Sequence, residues 1–193
     1  ELLLNDGSGR FSRDPSLSVT PSSYDGELFD VDGDGDLDLF FLRMGNEDNN
    51  ASEGPERLML NNLGGSPRWL DASDRVAFDL NDVHDHDMKH ADLNEDGLDD
   101  VVIVVDNLSE GFSTSSHRLL MNRGDGVFER VESPLNQYPG DFLDVSVGDF
   151  NGDGHVDVVM PQDYIEGFSI PNTPPVVLFL GDGRGGLTDS SAN

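Results

Sequence analysis

Asp30, Asp32, Asp34 and Asp38 stand at positions 1, 3, 5 and 9 of a nine-residue stretch that has a glycine, Gly35, at position 6. The spacing returns as Asp92, Asn94, Asp96 and Asp100 around Gly97, and again as Asp149, Asn151, Asp153 and Asp157 around Gly154. Oxygen donors alternating along a tight loop suit a hard cation that takes roughly 6–8 oxygen ligands at about 2.3–2.6 Å, and a glycine lets the chain turn sharply about the ion. Position 7, occupied by Asp36, Leu98 and His155, would then offer its backbone carbonyl, which leaves its side chain free to vary. The pattern predicts three Ca²⁺ sites. Acidic Asx-turns without metal are the competing reading, and they leave three sets of like charges unneutralised. An EF-hand is excluded, because it needs a glutamate at position 12, where this chain has Phe41, Ile103 and Met160.

The wider composition agrees with such sites. Among 193 residues, 39 are acidic and 11 basic, for a net charge of −28, with 35% hydrophobic residues and no cysteine. That size and apolar content suit one globular domain with its own core. Three divalent cations would bring the charge from −28 to about −22. The chain would still repel phosphate backbones and anionic lipid, so neither nucleic acid nor membrane insertion is expected, and no run of 18 apolar residues spans a bilayer. Calcium modules of low affinity work at about 10⁻⁴–10⁻³ M, a concentration found outside cells, which predicts an extracellular or cell-surface protein. Glu1 opens no signal peptide, so a mature or trimmed form is expected.

The loops begin at residues 30, 92 and 149, spacings of 62 and 57 that signal an internal repeat. A second motif runs in phase: Leu2-Leu-Leu-Asn5, Leu58-Met-Leu-Asn61, Leu119-Leu-Met-Asn122 and Leu178-Phe-Leu-Gly181, each followed by a glycine-rich turn. An apolar run, a tight turn and a second run predict a β-hairpin. The β-branched or aromatic runs Leu39–Leu42, Val101–Val105 and Val158–Met160 after the loops predict buried strands. One repeat is therefore strand, acidic loop, strand, variable loop, strand, glycine turn and strand: a four-stranded antiparallel blade. Residues 1–12 supply a half blade and residues of about 22–74, 83–133 and 142–190 full blades, within one domain over 1–193.

These repeats resemble the FG-GAP or VCBS family, the calcium-binding blades also found in the integrin α-subunit propeller. The resemblance runs from Leu2 to about Asp189 and implies an all-β propeller-type fold with a calcium loop between the first and second strands of each full blade. The Phe-Gly and Gly-Ala-Pro signatures of integrin blades are absent, so integrin function is not implied. Loop two, with Asn94 at position 3 and Glu95 and Asp99 added, is expected to differ in affinity.

Other residues are weighed against this frame. Asp25, Asp87 and Asp144 each lie five positions before a loop, and their recurrence predicts a structural role, bonding backbone amides or buttressing the loop. His84, His86 and His90 share one strand face by period-2 spacing, as a transition-metal site would need. Hydrogen-bonded histidines are the preferred reading, since the other repeats have none at these places. Nucleophile elbow, phosphate loop and zinc-protease signature are all missing, so no enzyme is expected. The variable loops at 45–55, 106–116 and 162–175, the last with Tyr164, Ile165, Phe168 and Ile170, are candidate recognition surfaces for a protein or glycan. Three and a half blades fall short of the roughly 4–8 of closed propellers. The chain is thus a segment of a longer propeller, half of a ring of two copies, or a head-to-tail assembling unit. Association with other copies, in a structural or adhesive role, is the favoured expectation. A glycan- or protein-binding module and a piece of a polysaccharide-acting propeller enzyme using the His84–His90 region are the alternatives.

Overall fold

A computed structural model of the chain describes residues 2–17, 23–43, 56–77, 85–105, 117–138, 142–162 and 174–191. The expected all-β architecture is present. Strands β1 (Leu3–Asn5) and β2 (Phe11–Arg13) form a two-stranded sheet. Three four-stranded sheets follow in simple meander order. Blade one holds β3 (Ser23–Phe29), β4 (Asp38–Arg43), β5 (Arg57–Asn61) and β6 (Trp69–Asp71). Blade two holds β7 (Asp85–Ala91), β8 (Asp100–Val105), β9 (Arg118–Asn122) and β10 (Phe128–Val131). Blade three holds β11 (Ser146–Gly148), β12 (Asp157–Pro161), β13 (Val176–Gly181) and β14 (Leu187–Asp189). All pairings within the sheets are antiparallel. The acidic loops join first to second strands, so three of them sit at one end of the stack.

Blade two shows why its second strand is apolar without alternation. Val101 and Ile103 of β8 pack toward blade one with Phe40, Leu58 and Leu60, while Val102 and Val104 pack toward blade three with Val158, Met160 and Val177. Both faces are buried, so every residue of β8 is buried. Each such side chain contributes about 1.5–3 kcal/mol by leaving water. The first strands are neighbours, β3 against β7 and β7 against β11. A smaller cluster of Leu17, Phe41, Met59 and Trp69, with Leu2, seats the half blade on blade one. The ion pair of Arg68 with buried Asp14 at 2.9 Å ties the same contact.

At the strand ends away from the loops, Arg118 of blade two is fully buried between Asp85 and, at 2.6 Å, Glu56 of blade one. Burial raises the Asp85 carboxyl well above its usual range, against the opposing pull of Arg118. A guanidinium held by carboxylates from two blades pins their junction at that end.

Candidate metal centre

Each acidic loop is organised by its own side chains before any ion is considered. The position-1 carboxylate spans the turn: Asp30 accepts from the amides of Gly33 and Gly35, both at 2.9 Å. Asp92 accepts from Asp96 and Gly97 at 3.0 and 2.8 Å, and Asp149 from Gly152 and Gly154 at 2.7 and 2.9 Å. Position 3 accepts from the amide of position 5, and position 5 from that of position 7, in all three loops. Gly35, Gly97 and Gly154 each have φ +92°, a conformation that other residues rarely adopt. Position 4 is left-handed too, as Gly33, Gly152 and, at φ 59°, Glu95.

Position 9 is different in kind. Asp38, Asp100 and Asp157 are fully buried. One oxygen of each accepts from the amide of position 2 (Val31, Leu93 and Phe150) at 2.9, 3.2 and 2.9 Å. The other accepts from the last residue of the third strand, Asn61, Asn122 and Gly181, at 2.7, 2.9 and 2.9 Å. This carboxylate therefore closes the loop and fastens it to a strand more than twenty residues away in sequence. Burial pushes Asp38 and Asp100 up to about 6 against those amides. A divalent cation beside them would hold them ionised.

The residues fit such a cation best in loop one. Oxygens of Asp30, Asp32 and Asp38 lie within 4.8 Å of one another. Asp36 Oδ1, at position 7, is buried with no hydrogen-bond partner among the described residues, an orphan that a cation would satisfy. Burial first, and then the neighbouring Asp34, raises the Asp32 carboxyl. In loops two and three asparagine (Asn94, Asn151) stands where Asp32 stands, so each has one fewer carboxylate at positions 1, 3, 5 and 9. Leu98 and His155 hold the place of Asp36.

Several contributors are invisible without the fold. The hairpin asparagines Asn61 and Asn122 donate through Nδ2 to the position-8 carbonyls of Leu37 and Asp99, at 3.1 and 3.3 Å. Their recurrence in the second sequence motif was the available signal. In blade three that place is Gly181, where a Cβ would collide with the position-8 carbonyl of Val156. The loops are also fastened to the following blade: the Val31 carbonyl accepts from Asn122 Nδ2 at 2.8 Å and the Leu93 carbonyl from the Gly185 amide at 3.1 Å. Between loops two and three, Glu95 meets His155 Nδ1 at 2.6 Å, which raises the exposed imidazole.

The aspartates five residues upstream bond backbone amides, as expected, but those of the next blade. Asp25 accepts from Met88 at 3.2 Å, and Asp87 from Val145 at 2.8 Å. Asp144, in the last blade described, is exposed. His86 and His90 are hydrogen-bonded, as the preferred reading has it, but the shared strand face requires a correction. A β-bulge between Asp85 and Asp87 inserts His86 as an extra residue and breaks the period-2 count. His86 then faces the Leu143 carbonyl beside blade three at 3.1 Å. His90 stacks on Phe29 of blade one with ring centroids 4.3 Å apart and meets Asp99 at 2.6 Å. The two do not converge on a metal. His84, Tyr164, Ile165, Phe168, Ile170 and nearly all of the variable loops lie outside the described residues.

Three in-line antiparallel sheets of four strands, each opened by an acidic turn and stacked through their first strands, define an all-β repeat protein of propeller-type blades. A family model described as an FG-GAP-like repeat matches residues 92–160, from the first residue of loop two into β12. The chain thus carries an FG-GAP-like repeat, and the resemblance drawn from its sequence holds over that stretch. No curated protein matches the chain. Among the described residues no helix is long and apolar enough to cross a membrane.

Proposed function

We propose that the protein is a non-catalytic, extracellular calcium-binding module whose three ions clamp the blades into a structural or adhesive scaffold that associates with other copies of itself. The observation that carries this reading is the donor set of loop one: three converging carboxylates beside the orphaned, buried oxygen of Asp36. The ion's role is architectural. Each loop is bonded to its own third strand through position 9, and loops one and two also to the next blade, so neutralising a loop steadies two junctions at once. No nucleophile or general base is needed for that work. Calorimetric titration of chelator-stripped protein tests it, with three Ca²⁺ per chain and a raised melting temperature expected. Absence of heat with Ca²⁺ at millimolar concentration defeats the calcium reading. A monodisperse monomer at every concentration defeats the assembly part.

A further inference from the structure

The acidic loops meet one another in the same way at both junctions between the full blades. In loop two the position-7 side chain, Leu98, lies between position 4 of loop one and the hairpin turn of its own blade: a Cβ built at Gly33 would find it at 3.5 Å, and one at Gly124 at 3.8 Å. In loop three the position-7 side chain is His155. It lies between position 4 of loop two, Glu95, and the turn of blade three, where a Cβ at Gly183 would come within 2.5 Å of His155 Nδ1 and 2.6 Å of Glu95 Oε1. The chemistry of the two contacts differs. Leu98 brings only methyl groups to Gly33, whereas His155 Nδ1 donates to the Glu95 carboxylate at 2.6 Å. Glu95 also holds, at φ 59°, the left-handed place that glycine fills in the other loops, Gly33 at 79° and Gly152 at 80°. A side chain there strains the turn, and strain of this kind collects where a side chain has a function.

We infer that the Glu95–His155 hydrogen bond couples the ion sites of loops two and three, so that Ca²⁺ in either loop raises the affinity of the other. The inference rests on the calcium reading above. Both ends of the bond belong to backbone that would hold an ion. Glu95 stands between Asn94 and Asp96, and the Asp96 amide donates to Asp92 at 3.0 Å and to Asn94 at 2.9 Å. His155 donates its own amide to Asp153 at 2.9 Å, and its carbonyl is the one that position 7 would offer to the ion. An ion in loop two fixes the peptide between its third and fifth positions and so holds the Glu95 side chain on His155. His155, held in this way, presents its carbonyl to loop three with less freedom left to lose. The reverse effect is equal, because a coupling free energy is reciprocal. Repulsion between the two ions opposes the coupling and is screened over about 8 Å at physiological salt.

Calcium titrations of the full chain carrying Asp34→Ala, which disables loop one, test this in about 150 mM salt. The affinities of loops two and three are measured together, then one at a time after adding Asp96→Ala or Asp153→Ala. The product of the paired association constants divided by the product of the isolated ones is the coupling factor. A factor of about five or more is expected. Glu95→Gly installs the residue the other loops use and relaxes the turn, and His155→Leu installs the residue of loop two. Each is expected to bring the factor to about one, and the two together to change it no further. Glu95→Gln, whose amide oxygen still accepts from Nδ1, is expected to keep part of the coupling; equal loss in Glu95→Gln and Glu95→Gly would assign the effect to charge alone and overturn the hydrogen bond as its carrier. A factor of one in the Asp34→Ala parent overturns the inference and leaves the calcium reading standing. So does a factor that survives both Glu95→Gly and His155→Leu, which would pass the coupling to the backbone bond from the Gly185 amide to the Leu93 carbonyl. A chain that takes up no Ca²⁺ at millimolar concentration overturns both.

Discussion

Position 9 of each loop separates two roles that share one carboxylate. Asp100 is buried and accepts two backbone amides, while Asp96, at position 5, is exposed and holds only its own turn. Removing a charged acceptor strands buried donors at about 1.5–3 kcal/mol each, so Asp100→Ala is expected to lose about 3 kcal/mol or more in urea unfolding even in chelator. Asp96→Ala should change calcium-free stability by less than about 1 kcal/mol and remove one binding step from a calcium titration. Equal losses for the two variants in chelator would contradict the division. His117 sets a second test at this scale. Its Nδ1 accepts from the Val105 amide at 3.1 Å, its ring packs edge-on to Phe142, and burial, aided by the Arg118 charge, pulls it down to about 4. The unfolded chain therefore binds the extra proton between about 6.5 and 4, so this contribution is complete above 6.5 and drains away as pH falls through that window. The loss amounts to roughly 3 kcal/mol. His117→Asn keeps an acceptor near Nδ1 but cannot titrate. Its unfolding midpoints in calcium-free buffer should fall less steeply with acid than those of the wild type, the difference approaching one proton.

At the scale of elements, one set of ties between blades is made by side chains of first strands reaching into the next sheet. Asp87 holds the Val145 amide and Lys89, whose ammonium also reaches Glu27 of blade one at 2.9 Å. Asp87→Ala is expected to cost about 1–3 kcal/mol, whereas Asp144→Ala, the same position but exposed, should stay within about 0.5 kcal/mol. Comparable losses from both would mean that the aspartates act inside their own blades. These residues also mark how far the sequence could be read. The hairpins, the buried runs and the loop chemistry were legible because each depends on near neighbours: a glycine at a left-handed turn, a period of β-branched residues, an oxygen every second position. The recurrence of Asp25, Asp87 and Asp144 was visible, but not which amide each meets, because that depends on how neighbouring sheets are set against each other. The face shared by His86 and His90 was misjudged for a related reason, although both are hydrogen-bonded as preferred. A single bulged residue at the start of β7 reverses which face every residue before it presents, and nothing local in Asp85-His86-Asp87 announces it. The burial of position 9 was hidden likewise, since its second partner is a strand end twenty-two to twenty-four residues away.

For the whole molecule, the loops and the stack of blades are one mechanical system, so calcium should act on junctions as well as on turns. A ligand at a hundred times its dissociation constant adds about 2.7 kcal/mol per site, and three sites in a domain of this size correspond to a melting shift on the order of 20 °C. The sites are not expected to be equal. Loop one has the most carboxylates at positions 1, 3, 5, 7 and 9 and is bonded to blade two through Val31 and Asn122, while loop three has asparagine at position 3 and an exposed Phe150. Charge count and rigidity both favour loop one, so titrations of Asp34→Ala, Asp96→Ala and Asp153→Ala should lose the tightest step in the first and the weakest in the last. The sharpest test uses a residue that is not a ligand at all. Asn122 lies in blade two, yet its amide holds the Val31 carbonyl inside loop one and the Asp99 carbonyl beside loop two. Asn122→Ala leaves every proposed ligand in place and removes about 1 kcal/mol of positioning, which is a several-fold weakening at loop one if the junction and the ion stabilise each other. By the same reciprocity, the variant's thermal stability should recover part of its deficit as Ca²⁺ is raised. Unchanged calcium affinity in Asn122→Ala would mean that each loop binds its ion as an isolated turn, and that the stack gains nothing from the metal beyond the blade that carries it.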